Sequence, residues 1–265
     1  MGIRLEQKTF RSRSLKRDMD YRVLLPAGYD ASKKNVYPVI FLLHGLTGHF
    51  SNWTDKTDLE SIAEKYPFVI ITPEANDSWY TDSLVKPQDK YESYLQEMIR
   101  DARKRYRPSH LIIAGLSMGG YGAIKFALKD PNEFWMVGSF SGAFRIDKWG
   151  DIGGPNQLIG HSIDAVFGPV DSDARKKNDI YRLLKDLPAK KVRQLPFMYI
   201  SCGRQDTTML KPNDDFVDTL REKNVPSDKY LYDNTQAGGH EWKFWGREVE
   251  RFLDLVNQRL AKKPQ

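Results

Sequence analysis

The chain has 265 residues, of which 40% are hydrophobic, enough to bury a sizeable core and in keeping with one α/β domain over 1–265. Its 41 Lys and Arg against 35 Asp and Glu give a formal charge of +6, but the cations are interleaved with acids, the pattern of a solvated surface rather than a nucleic-acid stripe. The lone cysteine, Cys202, excludes an intrachain disulfide and a cysteine-based zinc cluster, and no run approaches the roughly 18–20 apolar residues of a membrane span.

In chain order, strand-like segments at about 6–12 and 19–25 flank a polar turn and predict an antiparallel hairpin. The run Tyr37-Pro38-Val39-Ile40-Phe41-Leu42-Leu43 predicts a strand covered on both faces, and His44-Gly45-Leu46-Thr47-Gly48 follows it at once. Helical periodicity around 59–65 precedes a strand at 68–72, and an amphipathic helix over about 91–106 leads to a strand at 111–115. A helix from about 121, a strand at 135–139, strands at 197–202 and 229–232 and a final helix over about 242–260 complete the pattern. Strands alternating with helices predict an α/β fold with a mostly parallel sheet covered on both faces. The interval 142–195 shows only short helical pieces, around 179–187, and is expected to lie over the catalytic face as a partial lid, or else to pack on the sheet edge.

Between the strand and the helix near 117 stands Gly115-Leu116-Ser117-Met118-Gly119, the G-x-S-x-G pattern of a nucleophile elbow. By composition alone three such fixed positions occur in roughly one chain in ten of this length, so the context carries the assignment. That context is a buried strand before, a helix after, and then an acid and a histidine in that order. Ser117 needs an imidazole to take its proton. His240, in Gly238-Gly239-His240-Glu241-Trp242, lies on a glycine-rich loop after the last strand, whereas His44, His49 and His110 precede the serine and His161 precedes the acid. His44 is expected to have a structural role beside the loop that follows its strand, and His49 to be solvated. The acid is expected at Asp206, after the strand ending Ile200-Ser201-Cys202-Gly203; its rivals Asp214 and Asp215 open the next helix, where acids favour the helix dipole. Backbone N–H groups of Met118 and Leu46 are the expected oxyanion donors. Cys202, in an apolar run, is expected to be a buried inert thiol.

These motifs resemble the esterase D family of α/β-hydrolases, which includes S-formylglutathione hydrolases, feruloyl and acetylxylan esterases and mycolyltransferases. The matching residues are His44 to Gly48, Asn52-Trp53, Ser78-Trp79-Tyr80-Thr81-Asp82, the Gly115 to Ala123 elbow, Cys202-Gly203 with Asp206, and Gly238 to Trp242. The resemblance implies the α/β-hydrolase fold, a Ser117–Asp206–His240 triad, an oxyanion hole at Leu46 and Met118, and no metal or organic cofactor. It implies a serine carboxylesterase acting on short acyl, feruloyl or acetyl esters, carbohydrate esters included. The same residues would serve a thioesterase of the S-formylglutathione hydrolase type or an acyltransferase of the mycolyltransferase type. Leu116 stands where the eukaryotic-type S-formylglutathione hydrolases commonly have His, which favours the bacterial and feruloyl esterase branches. Trp79, Tyr80 and Trp242 are expected near the serine, as a surface for a phenolic or sugar group or as packing beneath the loops. A non-catalytic sugar-binding role on the same scaffold is the reading from another class, and a complete triad argues against it. The start, Met1-Gly2-Ile3-Arg4-Leu5-Glu6, lacks the apolar core of a signal peptide, so the expected location is cytoplasmic, or secreted if a leader has been removed.

Overall fold

Two fully buried strands set the centre of the molecule: β3 (Val39–Leu43) and β5 (Leu111–Leu116) present no polar side chain, as a strand covered on both faces requires. The structure, a computed structural model, describes residues 2–32, 36–150 and 157–262. Around that pair lies an eight-stranded sheet formed with β1 (Arg4–Arg11), β2 (Asp18–Leu25), β4 (Val69–Pro73), β6 (Met136–Phe140), β7 (Phe197–Ser201) and β8 (Tyr230–Asp233), in the order β1-β2-β4-β3-β5-β6-β7-β8. The β1–β2 and β2–β4 pairs are antiparallel and the rest parallel, so the expected hairpin forms one edge of the sheet. Charged residues Arg4, Glu6 and Lys8 blunt that edge against pairing with other chains.

Helices cover both faces. Helix α3 (Tyr91–Tyr106) buries Tyr91, Tyr94, Leu95, Met98, Ile99, Ala102 and Tyr106, a stripe at three- and four-residue spacing, against the same face as α4 (Met118–Lys129). On the other face lie the short α1 (Asn52–Lys56) and α2 (Leu59–Ala63) and the long helix near the C-terminus, Trp242–Ala261, whose Trp245, Val249, Phe252, Leu253 and Val256 enter a second core cluster with Trp53 and Phe140. The interval 142–195 is more helical than its sequence suggests. It contains α5 (Gln157–Phe167), α6 (Asp173–Asn178), α7 (Ile180–Asp186) and α8 (Ala189–Val192). Helix α5 is fixed by Gly160, Ile163, Val166 and Phe167 turning one face inward; residues 151–156 of this interval lie outside the described residues. A helix over Leu210–Glu222 (α9) and the Trp242–Ala261 helix (α10) follow. Among the described residues no helix is long and apolar enough to cross a membrane.

The chain leaves β3 toward β4 on one side and later returns to β5 on the other, so the strand order reverses between β3 and β5. In an α/β sheet, the crevice beyond the carboxyl ends of such a pair is where ligands bind. The His44–Gly48 loop leaves β3 there and Ser117 leaves β5 there.

Candidate active site

Ser117 caps the turn from β5 into α4 with φ 51° and ψ −117°, a backbone region that non-glycine residues occupy only when the surroundings enforce it. The neighbours two positions away enforce it. A Cβ on Gly115 would lie 2.6 Å from the Gly119 carbonyl carbon, and one on Gly119 would lie 2.6 Å from the backbone oxygens of both Leu43 and His44. Only glycines let strand, turn and helix close to this distance, and the closure lifts the serine hydroxyl above the sheet.

His240 Nε2 lies 3.0 Å from Ser117 Oγ, and its Nδ1 lies 2.8 Å from Asp206 Oδ2. A carboxylate accepts, so Nδ1 carries the proton and Nε2 is left to accept from the serine hydroxyl. Asp206 is 2% exposed, and its other oxygen accepts the N–H of Met209 at 3.0 Å. The loops that carry acid and imidazole touch directly: a Cβ on Gly203 would overlap the Gly238 carbonyl oxygen, and Gln205 N donates to that oxygen at 3.0 Å. The rival acids have other partners. Asp214 accepts from Tyr232 Oη at 2.6 Å and Asn234 Nδ2 at 3.0 Å, while Asp215 pairs with Lys211.

The loop after β3 is tied down by His44. Its buried ring holds Nδ1–H on the Gly45 carbonyl at 2.8 Å, Gly48 N donates to the same oxygen at 3.1 Å, and His44 Nε2 accepts from Ala75 N at 3.0 Å. Because a trans peptide points its C=O and N–H in opposite directions, fixing the Gly45 carbonyl fixes the Leu46 N–H on the other side. Neither the Leu46 nor the Met118 N–H meets an acceptor among the described residues. Glu74 supports the same loop, accepting from the N–H groups of Ala75, Asn76 and Phe50. Burial alone would raise its carboxyl, but the N–H groups of Asn76 and Phe50 oppose that and hold it below the ordinary carboxylate range.

A cavity of about 450 Å³ opens over Ser117 and His240, walled by Leu46, Leu116, Leu158, Ile159, Trp242 and Trp245, with Thr47, Asn52, Lys56 and Glu241 among its polar groups. Trp242 stands at the wall, edge-on to Trp53 and Trp245 and beneath the Lys56 ammonium at 5.4 Å. Trp79 and Tyr80 do not line this cavity. Each is 1% exposed, because two successive left-handed residues (φ 53° and 52°) turn both rings inward, where Trp79 Nε1 donates to Ser162 Oγ and Tyr80 Oη to the His44 carbonyl. A residue that sequence reasoning passed over takes their place: Trp245 meets the His240 ring edge-to-face at 4.8 Å and anchors its own N–H on Ser141 Oγ at 3.3 Å. The only signal for it was its position three residues after Trp242, on one face of α10. The remaining histidines stand apart: His49 is exposed beside Ser51, His110 lies tilted against Trp135 and His161 lies on α5. Cys202 is buried, and burial pushes its thiol up, away from thiolate chemistry.

Residues 12–253 match the protein family described as "Putative esterase". The chain is 27% identical to an acetyl esterase of Caldicellulosiruptor saccharolyticus over 95% of this chain and 97% of the relative. It is also 27% identical to an S-formylglutathione hydrolase of Bos taurus, over 83% of each. Among solved structures it superposes with a TM-score of 0.80, at 27% identity, on a fluorophosphonate-binding serine hydrolase of Staphylococcus aureus with substrate bound, covering 96% of this chain and 98% of that one.

Proposed function

This chain belongs to the Esterase family and is a carboxylic ester hydrolase, and on that premise we propose that it hydrolyses short acyl, acetyl or feruloyl esters through a Ser117–His240–Asp206 triad. The observation that carries the proposal is the unbroken hydrogen-bond chain from Ser117 Oγ through His240 to a buried carboxylate. As Ser117 Oγ forms its bond to the ester carbonyl carbon, its proton passes to His240 Nε2. The carbonyl π pair becomes an oxyanion that faces the N–H groups of Leu46 and Met118, each typically worth about 3 kcal/mol of barrier. The oxyanion collapses, the bond to the alcohol oxygen breaks, and His240 hands its proton to the departing alkoxide. Water then attacks the acyl-enzyme with His240 again as base, and a second collapse releases the acid and restores the serine. Asp206 keeps His240 in its working tautomer and stabilises the imidazolium.

The cavity fits this substrate class. Its apolar walls suit a small acyl group, Trp242 offers a face to a phenolic ring or a sugar, and Leu158 and Ile159 of α5 supply part of its cover, the role we assign to the 142–195 interval. Likeness to an S-formylglutathione hydrolase supports a thioesterase as the second reading, with the same residues in the same roles. Hydrolysis of p-nitrophenyl acetate, butyrate and octanoate, methyl ferulate, acetylated xylan and S-formylglutathione, together with fluorophosphonate labelling, separates the two. Ser117→Ala is expected to lose labelling and at least several orders of magnitude of turnover. Turnover near wild type in that variant would remove Ser117 as nucleophile, and a strong preference for the thioester would reverse the order of the two readings.

A further inference from the structure

Lys125 is a fully buried lysine on α4, the helix that Ser117 opens, and the ester chemistry leaves it without a task. Its ammonium spends all three donors: on the Tyr80 carbonyl at 2.7 Å, on Thr81 Oγ1 at 2.6 Å and on Glu92 Oε2 at 2.8 Å. Charge balance at Glu92 does not require it, because Lys129 Nζ already bonds both Glu92 oxygens at 2.8 and 2.9 Å. An ammonium is costly to bury, and an apolar residue of the same length would fill a helix position among Tyr121, Ile124 and Phe126 more cheaply. What Lys125 alone supplies is two hydrogen bonds to the turn at Tyr80 and Thr81.

That turn holds Trp79 and Tyr80 in the left-handed region, which bulky aromatic residues occupy only under constraint. Its product is the placement of one hydroxyl. The Tyr80 ring lies so close to α4 that a Cβ on Gly122 would come within 2.8 Å of it, and Tyr80 Oη reaches the His44 carbonyl at 2.9 Å. The His44–Gly45 peptide is the first of the loop whose next N–H belongs to Leu46. We propose that Lys125 is a positioning residue for the oxyanion hole: it pins the Trp79–Tyr80–Thr81 turn, the turn holds Tyr80 Oη on the His44 carbonyl, and that contact keeps the Leu46 N–H aimed above Ser117. The proposal rests on Leu46 and Met118 being the oxyanion donors.

The test compares Lys125→Met and Tyr80→Phe with wild type, each counted by active-site titration with a fluorophosphonate so that only folded sites enter. The readouts are kcat and KM on p-nitrophenyl acetate and inhibition by a trifluoromethyl ketone, which adds the serine and places an oxyanion in the hole. Removal of a donor costs about 100- to 1000-fold in kcat, so displacing one is expected to cost about tenfold. Both variants are expected to lose about tenfold in kcat with KM within about twofold, to lose ketone affinity by the same factor, and to show no further loss when combined. A purely structural lysine would lower the melting temperature and leave kcat per titrated site and ketone affinity unchanged, which would overturn the proposal. Loss in Lys125→Met with none in Tyr80→Phe would overturn the route through His44, and Tyr80→Phe decides the matter should Lys125→Met fail to fold. A wild-type enzyme that takes no fluorophosphonate label would instead overturn the esterase mechanism beneath it.

Discussion

The backbone of Ser117 makes a prediction separable from catalysis. At φ 51° and ψ −117° the serine sits where a Cβ costs about 1–3 kcal/mol, and its side chain makes no capping bond to α4 that a substitution would lose. Ser117→Ala removes the 3.0 Å contact with His240 but keeps the Cβ and its strain; Ser117→Gly removes both. The two variants therefore share the lost hydrogen bond, and their difference isolates the strain. Against the relief stands the added freedom of glycine in the unfolded chain, about 0.4–1 kcal/mol, leaving Ser117→Gly more stable than Ser117→Ala by about 1.3 kcal/mol at the middle of these ranges. For a domain of this size that is roughly 3–5 °C in melting temperature. Scanning calorimetry of the two proteins at one pH and scan rate measures it. A glycine variant that melts with or below the alanine variant would refute the reasoning, because the elbow would then hold no strain for glycine to release.

Other perturbations test how the site is held. Gly203→Ala puts a methyl group against the Gly238 carbonyl oxygen, so the loops bearing Asp206 and His240 must part; kcat is expected to fall at least about tenfold with a smaller change in KM, and wild-type kcat in a folded variant would contradict the proposed contact. Glu74 ties acid stability to the loop after β3. With its carboxyl held below its ordinary value of 4.5, the native state binds fewer protons there than the unfolded state, so its contribution to stability is complete above pH 4.5 and is lost as pH falls through the lowered value. Glu74→Gln is expected to flatten the stability profile in that window in urea unfolding, and a profile parallel to wild type would refute it. Trp245→Leu removes the aromatic face against His240, a contact worth about 0.5–1.5 kcal/mol, and is expected to lower kcat about three- to tenfold while Trp245→Phe retains most of it; equal kcat in the two variants would deny the ring its role.

The residues legible in the sequence are those whose constraint is local. Gly115 meets the Gly119 backbone within the turn itself while Gly119 meets the β3 backbone at Leu43 and His44, so a five-residue pattern marks the close approach even though part of its cause is distant, and the order of Ser117, Asp206 and His240 follows from strands that end in short loops at one edge of the sheet. The sheet was legible for the same reason, since β3 and β5 are uninterrupted apolar runs. Helix α5 was not, because its inward residues Gly160, Ile163, Val166 and Phe167 include a glycine and sit among exposed Leu158 and His161, which blurs the helical period. Between a substrate surface and packing beneath the loops the sequence could not choose for Trp79 and Tyr80, because the sign of φ decides which way a loop aromatic points and no residue at 79 or 80 announces a left-handed backbone. Lys125 gives no sign of its burial in the sequence. A lysine inside an apolar helix reads as a solvated face with a long stem, and it is buried here only because Tyr80, Thr81 and Glu92, some 33 to 45 residues earlier in the chain, supply its acceptors. A charge whose partners all lie on other elements constrains those elements relative to its own helix, and α4 is the helix that fixes Ser117. The side chains most able to tune this site are therefore those whose burial the sequence conceals.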